Sequence, residues 1–198
     1  MKVELRADGV TISGYVNVTG RENGKPVMTA RGRVNELIEP GAFQRAINRN
    51  EIGITALLDH DPSHRLGGMA DATLRAYEDN IGLHAELKTS DPEVVEAAKQ
   101  KKLRGWSFNM RNIVDEIEER ADKLPLRHVK EFDMDEISLI LHKVPVYSAT
   151  SVEVRAEAEE DVEVRGTVEN VELDEVSEKK PEEKTNRTFE ERLQKLKK

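Results

Sequence analysis

The stretch LRGWSFNM, residues 103–110, decides the fold class because bulky apolar residues alternate in it with small or polar ones. Successive side chains along a β-strand point to opposite faces of the sheet. Trp106, Phe108 and Met110 therefore share one face, and Ser107 lies on the other. This pattern predicts a strand with a buried aromatic side and a serine on its second side.

Further strands are predicted elsewhere in the chain. The segment IGLHAELKT, residues 81–89, alternates apolar and polar residues without a break. ITALL, residues 54–58, is a continuous apolar run of strand length and is predicted to be buried on both faces. Residues 10–18 place valine and isoleucine on one parity after an Asp-Gly turn signal. The globular part of the chain is therefore predicted to consist mostly of strands.

Two helices are predicted among these strands. GAFQRAINRN, residues 41–50, follows a proline and has two apolar residues four positions apart. SDPEVVEAAKQKKLRG, residues 90–105, opens with Ser90 or Asp91 as a cap and has a proline in its first turn. Lysines as far as Lys102 are predicted to complete its last turns. Strands and helices together predict an α+β fold, built mainly on an antiparallel β-barrel with a few surrounding helices.

The C-terminal region differs from the rest of the chain in composition. Residues 156–198 contain 14 acidic and 9 basic residues and a single aromatic residue, Phe189. Such a segment buries too little apolar area to offset the entropy of ordering it. We therefore predict a domain over residues 1–155 and a charged, flexible tail over 156–198. Residues 187–197 form a short amphipathic helix in this prediction, suited either to a partner helix or to solvent.

Composition excludes several classes of function. The chain has no cysteine, so disulfides, thiolate nucleophiles and cysteine-based zinc sites are ruled out. Its net charge of −8 argues against a general nucleic-acid binder. The longest apolar runs, at 54–58 and 137–141, are too short to span a bilayer, and the N-terminus lacks the apolar core of a signal peptide. We expect a soluble, intracellular protein.

A cluster of polar residues follows the apolar run at 54–58. His60 and His64 are four positions apart, a spacing that suits two metal ligands on a helix. Pro62 disfavours a helix there, because proline lacks the N–H that a helix needs. A metal-dependent hydrolase that uses both histidines, with Asp59 and Asp61 as further ligands, remains an alternative, and so does a polar loop without chemistry. His60 itself ends a predicted strand, where catalytic side chains are often presented.

Residues for a nucleophilic site are found in two predicted strands. Ser107 lies opposite a bulky face, and EFDMDEISLIL, residues 131–141, draws a carboxylate into an apolar strand. A small filler serine and a harmless surface acid are the alternatives for these two features. A Ser–His–acid unit needs a nucleophile, a base and a group that orients the base, and His60, Ser107 and Glu136 include one of each.

Several segments together resemble a known family. In order along the chain, these segments are VNELIEPGAFQRAI (34–47), ITALLDHD (54–61), RLGG (65–68), LRGWSFNM (103–110), DEISLI (135–140) and PVYSATSVEVR (145–155). They resemble the prohead, or capsid-maturation, serine proteases of tailed bacteriophages over residues 10–155. That family is related to the herpesvirus assembly protease, which implies a β-barrel surrounded by helices.

The resemblance implies roles for individual residues. His60 matches the family's histidine, Ser107 matches its nucleophile, and Glu136 matches its acidic third member, with Asp135 as the adjacent alternative. No metal or cofactor is implied.

The resemblance also implies substrates and a location. The implied substrates are scaffolding regions of capsid proteins, other prohead proteins and the protease itself, within the immature capsid in the host cytoplasm. Self-association is a further expectation. A non-catalytic capsid scaffold or chaperone of the same fold is the alternative that needs no nucleophile.

Overall fold

The computed structural model describes residues 1–142 and two short strands at 163–168 and 172–174. Its two helices are α1 (Ala42–Arg49) and α2 (Pro92–Lys99). The strands are β1 (Lys2–Arg6), β2 (Gly9–Val18), β3 (Val27–Thr29), β4 (Gly32–Ile38), β5 (Thr55–Leu58), β6 (Asp61–Gly68), β7 (Leu74–Glu78), β8 (Gly82–Thr89), β9 (Gly105–Glu118), β10 (Leu126–Asp133), β11 (Glu136–Ile140), β12 (Glu163–Val168) and β13 (Glu172–Asp174).

The strands of the described residues form two curled sheets. One has the order β13-β1-β2-β8-β7, and the other has the order β3-β4-β10-β9-β11-β5-β6, with β12 paired to β9. Most pairs are antiparallel, but β1–β13, β4–β10 and β5–β11 are parallel. The predicted α+β class, mostly strands with few helices, is confirmed. The expected antiparallel pairing predominates, and the described strands divide between two curled sheets, so closure into one barrel stays a prediction.

The aromatic face of β9 anchors the core. Trp106, Phe108 and Met110 are buried as predicted. Phe108 meets Phe43 of α1 edge to face with ring centroids 5.0 Å apart, and Phe43 meets Phe132 of β10 at 5.2 Å. Each buried ring contributes about 2 kcal/mol from the burial of apolar surface. This packing holds β9 in place and leaves Ser107 on the opposite face.

Helix α1 is capped by a residue from another element. Its N-cap, Gly41, has φ of 84°, a left-handed conformation that glycine adopts without strain, and carries no capping side chain. The Glu78 carboxylate of β7 accepts hydrogen bonds from the N–H of Gly41 at 2.6 Å and of Gln44 at 2.8 Å. The predicted helix is confirmed, and its cap is a long-range contact.

Helix α2 begins as predicted but ends early. The Asp91 carboxylate accepts hydrogen bonds from the N–H of Glu93 and of Val94, both at 3.0 Å, so Asp91 rather than Ser90 is the cap. The helix stops at Lys99, and Lys101 has a positive φ of 56°. The prediction that it runs to Lys102 is wrong, because a left-handed residue cannot continue a right-handed helix.

The predicted strand over residues 131–141 is two strands. β10 ends at Asp133 and β11 begins at Glu136. At the break, the Asn109 side-chain oxygen accepts hydrogen bonds from the N–H of Asp135 at 3.2 Å and of Glu136 at 3.3 Å. Both strands pair with successive parts of β9. Within β11, Ser138 lies directly opposite Ser107.

Part of the predicted tail pairs with the sheets. β12 lies antiparallel along β9, with Gly166 opposite Ser107, and β13 lies parallel to β1. The predicted boundary near Arg155 and the predicted helix at 187–197 lie outside the described residues. Within the described part of the chain, neither helix has the length and apolar character needed to cross a membrane.

Candidate active site

His60 stands at the tip of a tight hairpin between β5 and β6. Leu58 pairs with Asp61, so Asp59 and His60 alone form the turn, with φ values of 50° and 59°. Positive φ at both central residues is the conformation of the two-residue turns that favour glycine. A non-glycine residue in this region costs about 1–2 kcal/mol. The sequence analysis selected His60 but did not predict its positive φ. Strained backbone of this kind is often found at functional sites.

Asp59 ties this turn to the end of β11. Its N–H donates to the carbonyl of Leu139 at 2.9 Å, and its carboxylate accepts from the N–H of Leu141 and of His142, both at 2.9 Å. The side chain is buried. A buried carboxylate is tolerated here because backbone donors satisfy it. Asp59 is therefore a structural part of the turn.

The structure brings His60, Ser107 and Glu136 together. The His60 Nε2 lies 2.7 Å from the Ser107 Oγ, and its Nδ1 lies 2.6 Å from the Glu136 Oε1. Ser107 and Glu136 are buried, and the His60 side chain is 16% exposed. An ionised carboxylate can only accept, so Nδ1 carries the imidazole proton and Nε2 is free to accept from the Ser107 hydroxyl. This arrangement suits proton transfer from the serine to the histidine.

A second serine completes the contacts of the acid. The Ser138 Oγ donates to the Glu136 Oε2 at 2.5 Å and accepts from the backbone N–H of His60 at 3.1 Å. Ser138 is fully buried. The sequence analysis did not single it out, although its position two residues after Glu136 places both side chains on one face of β11.

Asp135, the alternative acid, lies away from His60. Its carboxylate pairs with the guanidinium of Arg111, and 44% of its side chain is exposed. Its backbone N–H donates to Asn109 at the break before β11. Asp135 and Glu136 therefore have separate surroundings, and only Glu136 contacts the imidazole.

The chain matches the family described as caudovirus prohead serine protease over residues 1–165 of its 198 residues. This match spans His60, Ser107 and Glu136. The chain belongs to the caudovirus prohead serine protease family. The family's role is proteolysis in the maturation of phage capsids. No curated protein and no solved structure matches the chain.

In this prohead protease family member, His64 contacts an acid other than Glu136. His64 lies in β6 rather than in the predicted loop, and its Nε2 is 2.9 Å from the Asp91 Oδ2. That hydrogen bond raises the pKa of His64. Both ring nitrogens of His60 are already engaged by Ser107 and Glu136. Among residues 1–142 and the two later strands, no group of three or more histidine or acidic side chains is arranged to hold a metal ion.

In this prohead protease family member, a surface depression of about 410 Å³ opens beside His60. His142, on its rim, lies with Nε2 2.7 Å from the Glu93 Oε1 at the start of α2. The lining mixes apolar, acidic and imidazole groups and consists of Leu58, Asp59, His60, Asp61, Pro62, His64, Glu93 and His142. The depression is large enough for one or two amino-acid side chains of a polypeptide.

Proposed function

We propose that this chain is a serine endopeptidase in which Ser107 is the nucleophile, His60 the general base and Glu136 the orienting acid. The observation that carries the proposal is the His60 imidazole, bridged at 2.7 Å to the Ser107 hydroxyl and at 2.6 Å to the Glu136 carboxylate. The three groups come from three different segments, so this convergence is not a local accident of sequence.

The mechanism follows from these contacts. Ser107 Oγ attacks the peptide carbonyl carbon while its proton passes to His60 Nε2. Collapse of the tetrahedral intermediate breaks the C–N bond, and the same proton goes to the leaving amine. Water then attacks the acyl-enzyme with His60 again as base, which frees the new carboxyl group and restores Ser107. Glu136 stays ionised, holds the Nδ1–H tautomer and stabilises the imidazolium.

The family supports a substrate class and a place of action. We infer that the enzyme cleaves scaffolding regions of capsid proteins inside the prohead in the host cell, because proteolysis there is the family's role. The depression beside His60 is suited to residues on one side of the cleaved bond.

Self-cleavage belongs to the same proposal. It is supported by β12, because this C-terminal strand of the same chain lies antiparallel to the strand of the nucleophile, with Gly166 opposite Ser107. This pairing keeps part of the chain's own C-terminal region next to the strand that carries the proposed nucleophile.

Mass spectrometry of purified protein after incubation tests the proposal. We expect wild-type protein to produce fragments and to be labelled by a fluorophosphonate probe, and Ser107→Ala to do neither. Ser13→Ala is the matched control, since it removes a serine hydroxyl from β2 in the other sheet and should leave both signals intact. Adding Ser107→Ala protein as substrate for wild type separates cleavage between molecules from cleavage within one molecule.

Each alternative has its own outcome in this experiment. Cleavage retained by Ser107→Ala would remove Ser107 from the role of nucleophile. Loss of wild-type cleavage in the presence of a chelator would favour the metal-dependent hydrolase. Absence of both cleavage and labelling in folded wild-type protein, with a capsid scaffold supplied, would favour a non-catalytic assembly protein.

A further inference from the structure

We propose that Ser138 is a positioning residue of the same site, which fixes the Glu136 carboxylate and the His60 turn relative to each other through one hydroxyl group. This inference rests on the proposed serine-protease function. It concerns a side chain that contacts neither the Ser107 hydroxyl nor the imidazole ring in the hydrogen bonds described, and so acts through Glu136 and the His60 backbone.

The hydroxyl of Ser138 has only one way to satisfy its contacts. It carries a single proton, and the ionised Glu136 carboxylate can only accept, so this proton is donated to Oε2. The backbone N–H of His60 can only donate, so the same Ser138 oxygen accepts its hydrogen bond at 3.1 Å. Because Ser138 is fully buried, water does not compete for either bond. The orientation of the hydroxyl is thereby determined by its two partners.

Both ends of this bridge bear on the proposed chemistry. Glu136 uses Oε1 for the imidazole and Oε2 for Ser138, so the serine sets the rotation of the carboxylate that faces His60. The other bond holds the backbone of a residue whose φ is 59°, a conformation that needs support from its surroundings. Ser138 therefore aligns acid and base at once.

Ser138 is not a second nucleophile in this arrangement. It lies opposite Ser107 on neighbouring strands, so both hydroxyls face the same side of the sheet. Only the Ser107 Oγ contacts the His60 Nε2, whereas the Ser138 hydroxyl donates its hydrogen bond to the Glu136 carboxylate. General-base activation requires the former contact.

The rate of labelling by a fluorophosphonate probe measures this effect without knowledge of the natural substrate. We expect folded Ser138→Ala to be labelled about tenfold more slowly than wild type, the scale of one buried hydrogen bond to a charged group. The matched control is Thr11→Val, which removes another buried hydroxyl, from β2 in the other sheet, and should be labelled at the wild-type rate. Equal rates for Ser138→Ala and wild type would overturn the inference.

The pH dependence of labelling separates positioning from general loosening of the fold. Without the Ser138 donor, the carboxylate that faces His60 changes both its charge distribution and its orientation. We therefore expect the acid-side midpoint of the labelling rate to differ between Ser138→Ala and wild type. A purely structural role would lower the rate at every pH and leave the midpoint unchanged, and that result would also overturn the inference.

A double-mutant cycle with Glu136→Gln tests whether Ser138 acts through the acid. Because an amide replaces the carboxylate, Ser138→Ala should slow labelling much less in the Glu136→Gln background than in the wild-type background. Equal slowing in both backgrounds contradicts the inference. Failure of the proposed function is distinguishable, since labelling would then either survive Ser107→Ala or be absent from folded wild-type protein, whatever residue occupies position 138.

Discussion

At the residue scale, the site depends on a histidine placed where the backbone favours glycine. His60 and Asp59 both have positive φ, and the strain is offset by the buried hydrogen bonds of the Asp59 carboxylate to the end of β11. The turn therefore presents the imidazole above the face that carries Ser107 and Glu136. A flexible loop would have to lose conformational entropy to reach the same geometry.

Substitution of the two neighbouring acids gives the sharpest test at this scale. We expect Glu136→Gln to keep the fold and to slow fluorophosphonate labelling and cleavage by on the order of a hundredfold or more, since an amide cannot stabilise the imidazolium. Asp135→Asn should be nearly neutral because its carboxylate pairs with Arg111 at the surface. Slowing by Asp135→Asn alone would transfer the acid role to Asp135, and slowing by neither would indicate a Ser–His dyad.

At the scale of elements, the two halves of β9 pair with different strands. Its first part, paired with β11, carries Ser107, and its second part, paired with β10, continues into a long hairpin. In the hairpin, the buried Arg127 contacts Glu36 of β4 at 3.2 Å and Asp115 of β9 at 2.6 Å. The charge network joins β4, β10 and β9, so the strand that carries the proposed nucleophile is held at both ends.

A histidine of this hairpin makes the stability of the protein depend on pH. His128 of β10 lies 2.8 Å from a Glu39 oxygen and 3.1 Å from a Glu118 oxygen. The hydrogen bond to Glu39, and then that to Glu118, raises the pKa of His128 above its usual value of 6.5. The protonated form is favoured in the folded state, so its stabilisation is complete below the unfolded pKa and is lost as pH rises through the raised one.

Thermal unfolding of His128→Gln checks this dependence. We expect the substitution to lower Tm by about 2 °C near pH 6, the scale of a partly exposed ion pair in a chain of this size, and by much less near pH 9. A loss of Tm that is the same at both pH values would show that the charge of His128 contributes nothing.

At the scale of the whole molecule, helix α1 connects the two sheets. Its Phe43 packs on Phe108 and Phe132 of one sheet, and its first turn is capped by Glu78 from β7 of the other. We expect Glu78→Ala to lower Tm by about 2–4 °C, the effect of losing a helix cap worth about 1 kcal/mol. The fluorophosphonate labelling rate should be unchanged, because the cap lies outside the proposed site.

A matched control for this prediction is Glu86→Ala, which removes a partly exposed glutamate from β8 of the same sheet. It should leave the free energy of unfolding within about 0.5 kcal/mol of the wild-type value. Equal destabilisation by both substitutions would mean that the cap at α1 has no special role in joining the sheets.

Sequence patterns alone determined the local features of this protein. The alternation at 103–110 predicted a strand with Trp106 and Phe108 buried, and Asp91 and Pro92 predicted the start of α2. Residue chemistry, together with the resemblance to prohead proteases, selected His60, Ser107 and Glu136 as candidates. Such features are readable because side-chain periodicity, capping and turn preferences act within a few residues.

Only the tertiary structure decided how these pieces meet. His60 lies 47 positions from Ser107 and 76 positions from Glu136, and the pairing of β11 with β5 on one side and with β9 on the other brings them together. The division of residues 131–141 into two strands, and the bridge made by Ser138, depend on the same pairings. Contacts between distant segments follow from which surfaces pack best in the complete fold, and no local pattern encodes that choice.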